Sequence, residues 1–156
     1  MRRDELMARL MDAAPRVVAE GLNFHLEVAN QLGLSLADLR YLQTISAIAP
    51  ATPGQIAART GLTSGAVTRM VDRLEQAGFV RRTRDAADRR SVMVVPDEQA
   101  AARVAAMYAD MSAAWVGVLS HYTNEQLTVI LDLFERLGEM SARQVEQLRR
   151  SGRGNP

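Results

Sequence analysis

Between Thr52 and Val95 the chain reads "TPGQIAARTGLTSGAVTRMVDRLEQAGFVRRTRDAADRRSVMVV", and its start and stop signals leave little choice of local structure. Thr52 can cap a helix, Pro53 suits the first helical position, and Gln55 completes a capping box. This helix ends near Thr60 and Gly61. Thr63 caps a second helix, "SGAVTRMVDRLEQA", which Gly78 terminates. Two β-prone runs, "FVRRT" and "SVMVV", then flank a tip, "RDAADRR", that is too polar to pack. Two short helices joined by a turn, with a β-hairpin directly after them, make a helix-turn-helix with a wing.

The second of these helices separates its faces well. Val67, Met70, Val71 and Leu74 follow the i, i+3, i+4, i+7 rule and must face a core. The other face carries Ser64, Gly65, Thr68, Arg69, Asp72 and Arg73. It is short, polar and able to hydrogen-bond near the helix N-terminus, as a helix lying in the major groove needs. Gly65 is a poor helix former, so its presence points to something that approaches the backbone closely. Arg69 and Arg73 are expected to reach base edges or phosphates, with Ser64 and Thr68 assisting. Thr52, at the start of the preceding helix, is a further expected DNA contact. An ordinary amphipathic surface helix would show the same two faces, and it is the hairpin that favours the DNA reading. Among the wing arginines, Arg84, Arg89 and Arg90 are the expected contacts. A protruding guanidinium can enter the minor groove, where the potential is most negative, while others hold phosphates. Asp88 can pair with Arg90 and hold the loop in shape.

Charge is distributed to match. The net charge is only +1, yet residues 51–96 hold eight Arg against four acids. Residues 1–50 hold five Arg against six acids, and residues 97–156 hold six against eight. All the basic excess lies in the middle third, the electrostatic footprint of a nucleic-acid surface.

Helical patterns flank this segment. From Asp4 to about Leu32, the residues Leu10, Ala14, Val17, Val18, Gly21, His25, Val28, Ala29 and Leu32 fall on one face. Gly33 ends that helix. Ser35, with Asp38 three residues on, starts another that Pro50 stops near Ala49. After Pro96 come two long stripes. One comprises Val104, Met107, Tyr108, Met111, Trp115, Val118, Leu119 and Tyr122. The other comprises Leu127, Ile130, Leu131, Phe134, Leu137, Ser141, Val145 and Leu148. A third capping box, "TNEQ", starts the second stripe. The expected fold is mainly α with a small β-hairpin wing. Residues 35–96 form a winged helix-turn-helix, and residues 1–34 and 97–156 form a helical dimerisation module. The apolar faces of the long helices exceed what the small central domain can cover, and a coiled-coil-like homodimer would bury them.

The stretch "SGAVTRMVDRLEQAGFVRRTRDAADRRSVMV" resembles the recognition helix and wing of the MarR (multiple antibiotic resistance regulator) family of bacterial transcription factors, with its Asp-x-Arg at Asp88 and Arg90. The order of elements resembles that family over nearly the whole chain. One departure follows the wing, where the family often has Leu-Thr-x-x-Gly and this chain has "VPDEQ". That leaves the start of the next helix open. The resemblance implies a homodimer on double-stranded DNA, probing a pseudo-palindromic operator with two winged helices. It also implies a small aromatic or phenolic ligand that weakens DNA binding. Candidate ligand residues are His25, Tyr41 and Trp115, with Arg16 as an anion partner. His25 on an apolar face equally fits a satisfied interface histidine, and Trp115 equally fits a dimer contact. An effector-independent, architectural DNA-binding dimer is the alternative reading.

Other chemistry finds little support. With no cysteine in its 156 residues, the chain lacks disulfides, thiolate nucleophiles, thiol redox sensing and Cys-based zinc sites. His25 and His121 are far apart, so no metal site is expected, and no cofactor motif stands out. No Gly-rich phosphate loop, HExxH or GxSxG occurs. The carboxylates of "DAADRR" lie on an exposed tip among arginines, a poor place to raise a pKa for acid catalysis, so an enzyme is not expected. No apolar run approaches the roughly 20 residues that span a bilayer. The N-terminal "MRRDELMARLMDAAP" has no unbroken apolar stretch of the signal-peptide kind. A cytoplasmic protein without membrane contact is the expectation.

Overall fold

The local signals are realised one after another in the computed structural model, which describes residues 1–84 and 91–152. Helix α1 spans Arg3–Leu32 and ends on Gly33, whose φ of 70° is the left-handed conformation glycine takes without strain. Helix α2 (Leu36–Ile48) starts at Ser35, whose Oγ accepts from the Asp38 amide at 3.0 Å. Helix α3 (Pro53–Thr60) has the reciprocal box. The Gln55 amide donates to Thr52 Oγ1 at 3.2 Å, and the Thr52 amide donates to Gln55 Oε1 at 2.8 Å. Helix α4 (Ser64–Gln76) is capped by Thr63, whose Oγ1 accepts from the Ala66 amide at 3.3 Å. Gly78, with φ 76°, then turns the chain into the hairpin.

Strands β1 (Val80–Arg84) and β2 (Val92–Pro96) are antiparallel, with Val80 opposite Pro96 and Arg84 opposite Val92. A third short partner fastens them to the helices. Ala51 and Val94 exchange both backbone hydrogen bonds, at 3.1 and 2.8 Å, just before α3 begins. The start of helix α5 (Glu98–Leu119) settles the question that "VPDEQ" left open: Asp97 Oδ1 accepts from the Ala100 amide at 3.0 Å. Helix α6 (Asn124–Gly152) opens with the expected box between Thr123 and Gln126.

The chain divides into two compact units, residues 1–108 and 109–156. In the first, the end of α1 (Val28, Ala29, Leu32) and Leu39, Leu42 and Ile45 of α2 pack with Ile56 of α3. Val67, Met70, Val71 and Leu74 of α4, together with Phe79, Val80 and Val94 of the hairpin, complete this core. It is the period-3.6 stripe of α4 that seats the helix. Its four apolar residues are all but inaccessible to water, which forces the polar face outward. Within the first unit, Leu6, Leu10, Val17, Val18 and Leu22 of α1 are exposed. Within the second, Trp115, Leu131, Phe134, Leu137 and Val145 are exposed. Among the described residues, no helix is long and apolar enough to cross a membrane.

Candidate nucleic-acid interface

With the apolar stripe of α4 buried, Ser64, Gly65, Thr68, Arg69 and Arg73 are left on its exposed side. Gly65 lies in open space. A Cβ added there would meet only an Arg69 nitrogen, at 3.8 Å. No part of the described chain therefore requires the glycine, and its bare backbone is available to an outside surface. Thr68 Oγ1 donates to the Ser64 carbonyl at 3.1 Å, and the Thr52 hydroxyl is occupied by Gln55. Both hydroxyl protons are thus committed, and what remains is acceptor capacity, two lone pairs on Thr68 and one on Thr52.

The arginines of this region are not equivalent. Arg82, on β1, binds back onto α4. Its Nη2 donates to Asp72 Oδ1 at 2.6 Å, its Nη1 pairs with Glu75, and its backbone amide donates to Glu75 Oε1 at 2.8 Å. This guanidinium neutralises two α4 carboxylates and fastens β1 to that helix. Arg73 is also held. Its Nη2 donates to Asp38 Oδ1 at 2.7 Å, and its Nε lies 3.5 Å from Asp38 Oδ2, which also accepts from Ser35 Oγ at 2.8 Å. Burial pushes the Asp38 carboxyl upward, but the Arg73 and Ser35 hydrogen bonds and the Arg73 charge outweigh it, leaving Asp38 below its ordinary value. Arg59, Arg69, Arg81 and Arg84 are exposed and make no ion pair with a carboxylate among the described residues. Arg89, Arg90 and the wing-supporting Asp88 lie outside the described residues.

Comparison with known proteins gives this geometry a lineage. The family model described as MarR family matches residues 34–92, the stretch that holds α2, the helix-turn-helix and most of the wing. YcgE of Bacillus subtilis (strain 168), an uncharacterized HTH-type transcriptional regulator, is 32% identical over 126 residues, covering 81% of this chain and 82% of its own length.

The chain belongs to the MarR family.

Solved structures agree on the fold. The YusO protein from Bacillus subtilis superposes with a TM-score of 0.64 at 24% identity, covering 89% of this chain and 99% of that one. FabT of Streptococcus pneumoniae, solved in complex with DNA, gives 0.68 at 19% identity, covering 88% and 99%. The winged helix-turn-helix fold and the assignment to transcriptional regulators rather than enzymes both follow.

This MarR-family chain also carries a cavity in its first unit. Open on one side, it holds about 330 Å³ and is lined by Leu42, Gln43 and Ser46 of α2, Phe79, Pro96, and Ala101, Val104, Ala105 and Tyr108 of α5. Its walls are mostly apolar, with Gln43, Ser46 and the Tyr108 phenol as polar points. Gln43 Nε2 donates to the Tyr108 hydroxyl at 2.8 Å, and that hydroxyl lies 2.8 Å from His25 Nδ1. With Gln43 donating to its oxygen, the phenol O–H is free to donate a hydrogen bond to His25 Nδ1. Burial pushes the Tyr108 phenol above its ordinary value, against the Gln43 hydrogen bond. A second hollow of about 260 Å³ lies beyond Gln43, lined by Leu22, His25, Leu36, Leu39 and Arg40.

Of the four ligand residues expected from sequence, His25 lines this second hollow and touches Tyr108. Tyr41 is half-buried against the core. Arg16 is exposed and paired with Asp12 at 3.0 Å. Trp115 belongs to the second unit, its ring 6.1 Å from that of Phe134. The sequence reading missed Gln43, Arg40 and Phe79, and it took Tyr108 only as a stripe residue. A Tyr and a His on separate apolar stripes were the one available signal.

Proposed function

We propose that the protein is a homodimeric, cytoplasmic repressor that binds a pseudo-palindromic operator near its own gene. Helix α4 would enter the major groove, and the wing would track the minor groove and its phosphates. The observation that carries this reading is the polar, glycine-opened face of α4, with Arg69 unpaired among the described residues, beside a wing strand fixed to the same helix through Arg82. Ser64, Gly65, Thr68 and Arg69 are the proposed base-side contacts, with Thr52 and Arg84 on flanking phosphates. Arg89 and Arg90 as further contacts and Asp88 as their support are proposed from the sequence alone, since all three lie outside the described residues. FabT, which shares the fold, was solved in complex with DNA, and this supports DNA as the partner. Residues 35–96 act as the DNA-binding domain, and residues 1–34 and 97–156 as the dimerisation module. The exposed apolar faces of α1 and α6 supply the surface for pairing.

A small aromatic or phenolic ligand releases the DNA in this reading. The cavity beside Tyr108 is large enough and apolar enough for one ring, and Gln43, Tyr108 and His25 offer hydrogen bonds at its edge. To act as an inducer the ligand must bind the DNA-free form better, with a coupling typically of about 1–3 kcal/mol. The test is a thermal-shift screen of aromatic acids and phenols, followed by gel shift on DNA upstream of the gene. A hit that stabilises the protein and weakens that complex supports the mechanism. Stabilisation without any change in DNA affinity, or no hit at all, favours an effector-independent DNA-binding dimer.

A further inference from the structure

Arg69 and Arg73 are one helical turn apart on the same face of α4, yet they meet different surroundings. Arg69 has no carboxylate partner among the described residues, whereas Arg73 meets both oxygens of Asp38, a residue 35 positions earlier in the first turn of α2. The Asp38 side chain is only 14% exposed, against 54% for Arg73. Ser35 Oγ takes a further lone pair of the carboxylate. A phosphate competing for Arg73 would leave this largely buried carboxylate with a hydroxyl alone, beside a second anion. Desolvated carboxylates keep their cations for that reason.

We propose that Asp38 is a positioning residue that braces α2 to α4 through Arg73 and withholds the Arg73 charge from DNA phosphates. It thereby tunes sequence-independent attraction to the duplex. The proposal rests on the DNA-binding reading above and concerns how many cations the recognition helix offers. Sequence-independent affinity is largely a count of phosphates neutralised, with a slope of about 0.9 in log K against log salt for each. Arg73 in its pair adds nothing to that count. Freed, it is a long cation one turn from Arg69, able to meet a phosphate on any sequence.

The test uses the full chain and a short duplex of random sequence, with affinity read by fluorescence anisotropy across a salt series. Asp38→Asn keeps shape and removes charge. Its slope is expected to be steeper than wild type by about 0.9 for each recognition helix on the DNA. Between about 50 and 200 mM salt, that is a further loss of roughly 3- to 4-fold for each helix. The double variant Asp38→Asn with Arg73→Ala removes both charges and should return to the wild-type slope. It also removes both partners of the brace, so it reads the same question if the single variant folds poorly. Asp38→Glu should keep the wild-type slope. A merely structural Asp38 would lower stability and leave the slope alone. An unchanged slope in Asp38→Asn overturns the proposal, since freeing Arg73 then adds no phosphate contact, and so does a shallower slope in the double variant, which shows Arg73 already on phosphate in the wild type. A wild-type chain that does not bind the duplex at low salt overturns the DNA-binding reading as well.

Discussion

Arg69 is the side chain on which sequence reading should most depend. It projects from the exposed face of α4, one turn after Gly65, and no carboxylate among the described residues neutralises it. Replacing an arginine that pairs bidentately with a base costs about 1–3 kcal/mol and relaxes preference at one position. Arg69→Ala is expected to do both, measured by titrating operator variants; equal affinity and equal preference would show that another residue reads the bases. Asp38 gives a pH signature of its own. Its folded-state pKa is depressed, so its contribution to stability is present above the unfolded carboxyl value, about 3.9, and is lost as pH falls through the lower folded value. Urea denaturation of wild type and Asp38→Asn should therefore differ most near neutral pH and converge in acid. A difference that persists at the lowest pH would mean the pair is not its source. The sequence shows Arg69 and Arg73 as equals, because the partner that separates them is distant in the chain and arrives only when α2 packs on α4. Tyr108 was hidden for the same reason. On its helix it is one more member of an apolar stripe, and only the fold brings His25 and Gln43 to its hydroxyl.

Elements were far more legible than contacts. The caps at Ser35, Thr52, Thr63 and Thr123 form where the sequence places them, because a capping hydrogen bond spans three residues and needs no distant partner. "VPDEQ" departs from the pattern expected after the wing, and Asp97 supplies the cap instead. Pro15 lies inside α1 without ending it, although it removes the amide that would bond to the Met11 carbonyl. Arg82, a wing arginine outside the expected DNA contacts, is a clamp whose role the sequence does not show. It ties β1 to Asp72 and Glu75, so that recognition helix and wing strand are held as one piece. All three groups are partly exposed, so Arg82→Ala is expected to cost only on the order of 1 kcal/mol of folding stability. Its larger effect should be on DNA, where two unmasked carboxylates on α4 repel phosphate. Urea denaturation and DNA titration of the same variant compare the two losses. A stability loss with unchanged DNA affinity would show that the clamp is only structural.

Over the whole molecule, the surplus of apolar surface is the feature that one protomer leaves unresolved. Leu6, Leu10, Val17 and Leu22 of α1 are exposed, as are Leu131, Phe134, Leu137 and Val145 of α6, at helical spacings that suit a partner helix. Analytical ultracentrifugation is expected to show a dimer at micromolar concentration, and a folded monomer there would contradict the assembly. Two copies would present two α4 helices, and a two-fold axis between them demands a two-fold operator. Footprinting of the DNA around the protein's own gene tests that geometry directly. The expected result is a preferred pseudo-palindromic site with two protected half-sites on one face of the duplex, their centres roughly 34 Å, one helical turn, apart. Uniform protection with no site preferred over random duplex would contradict it.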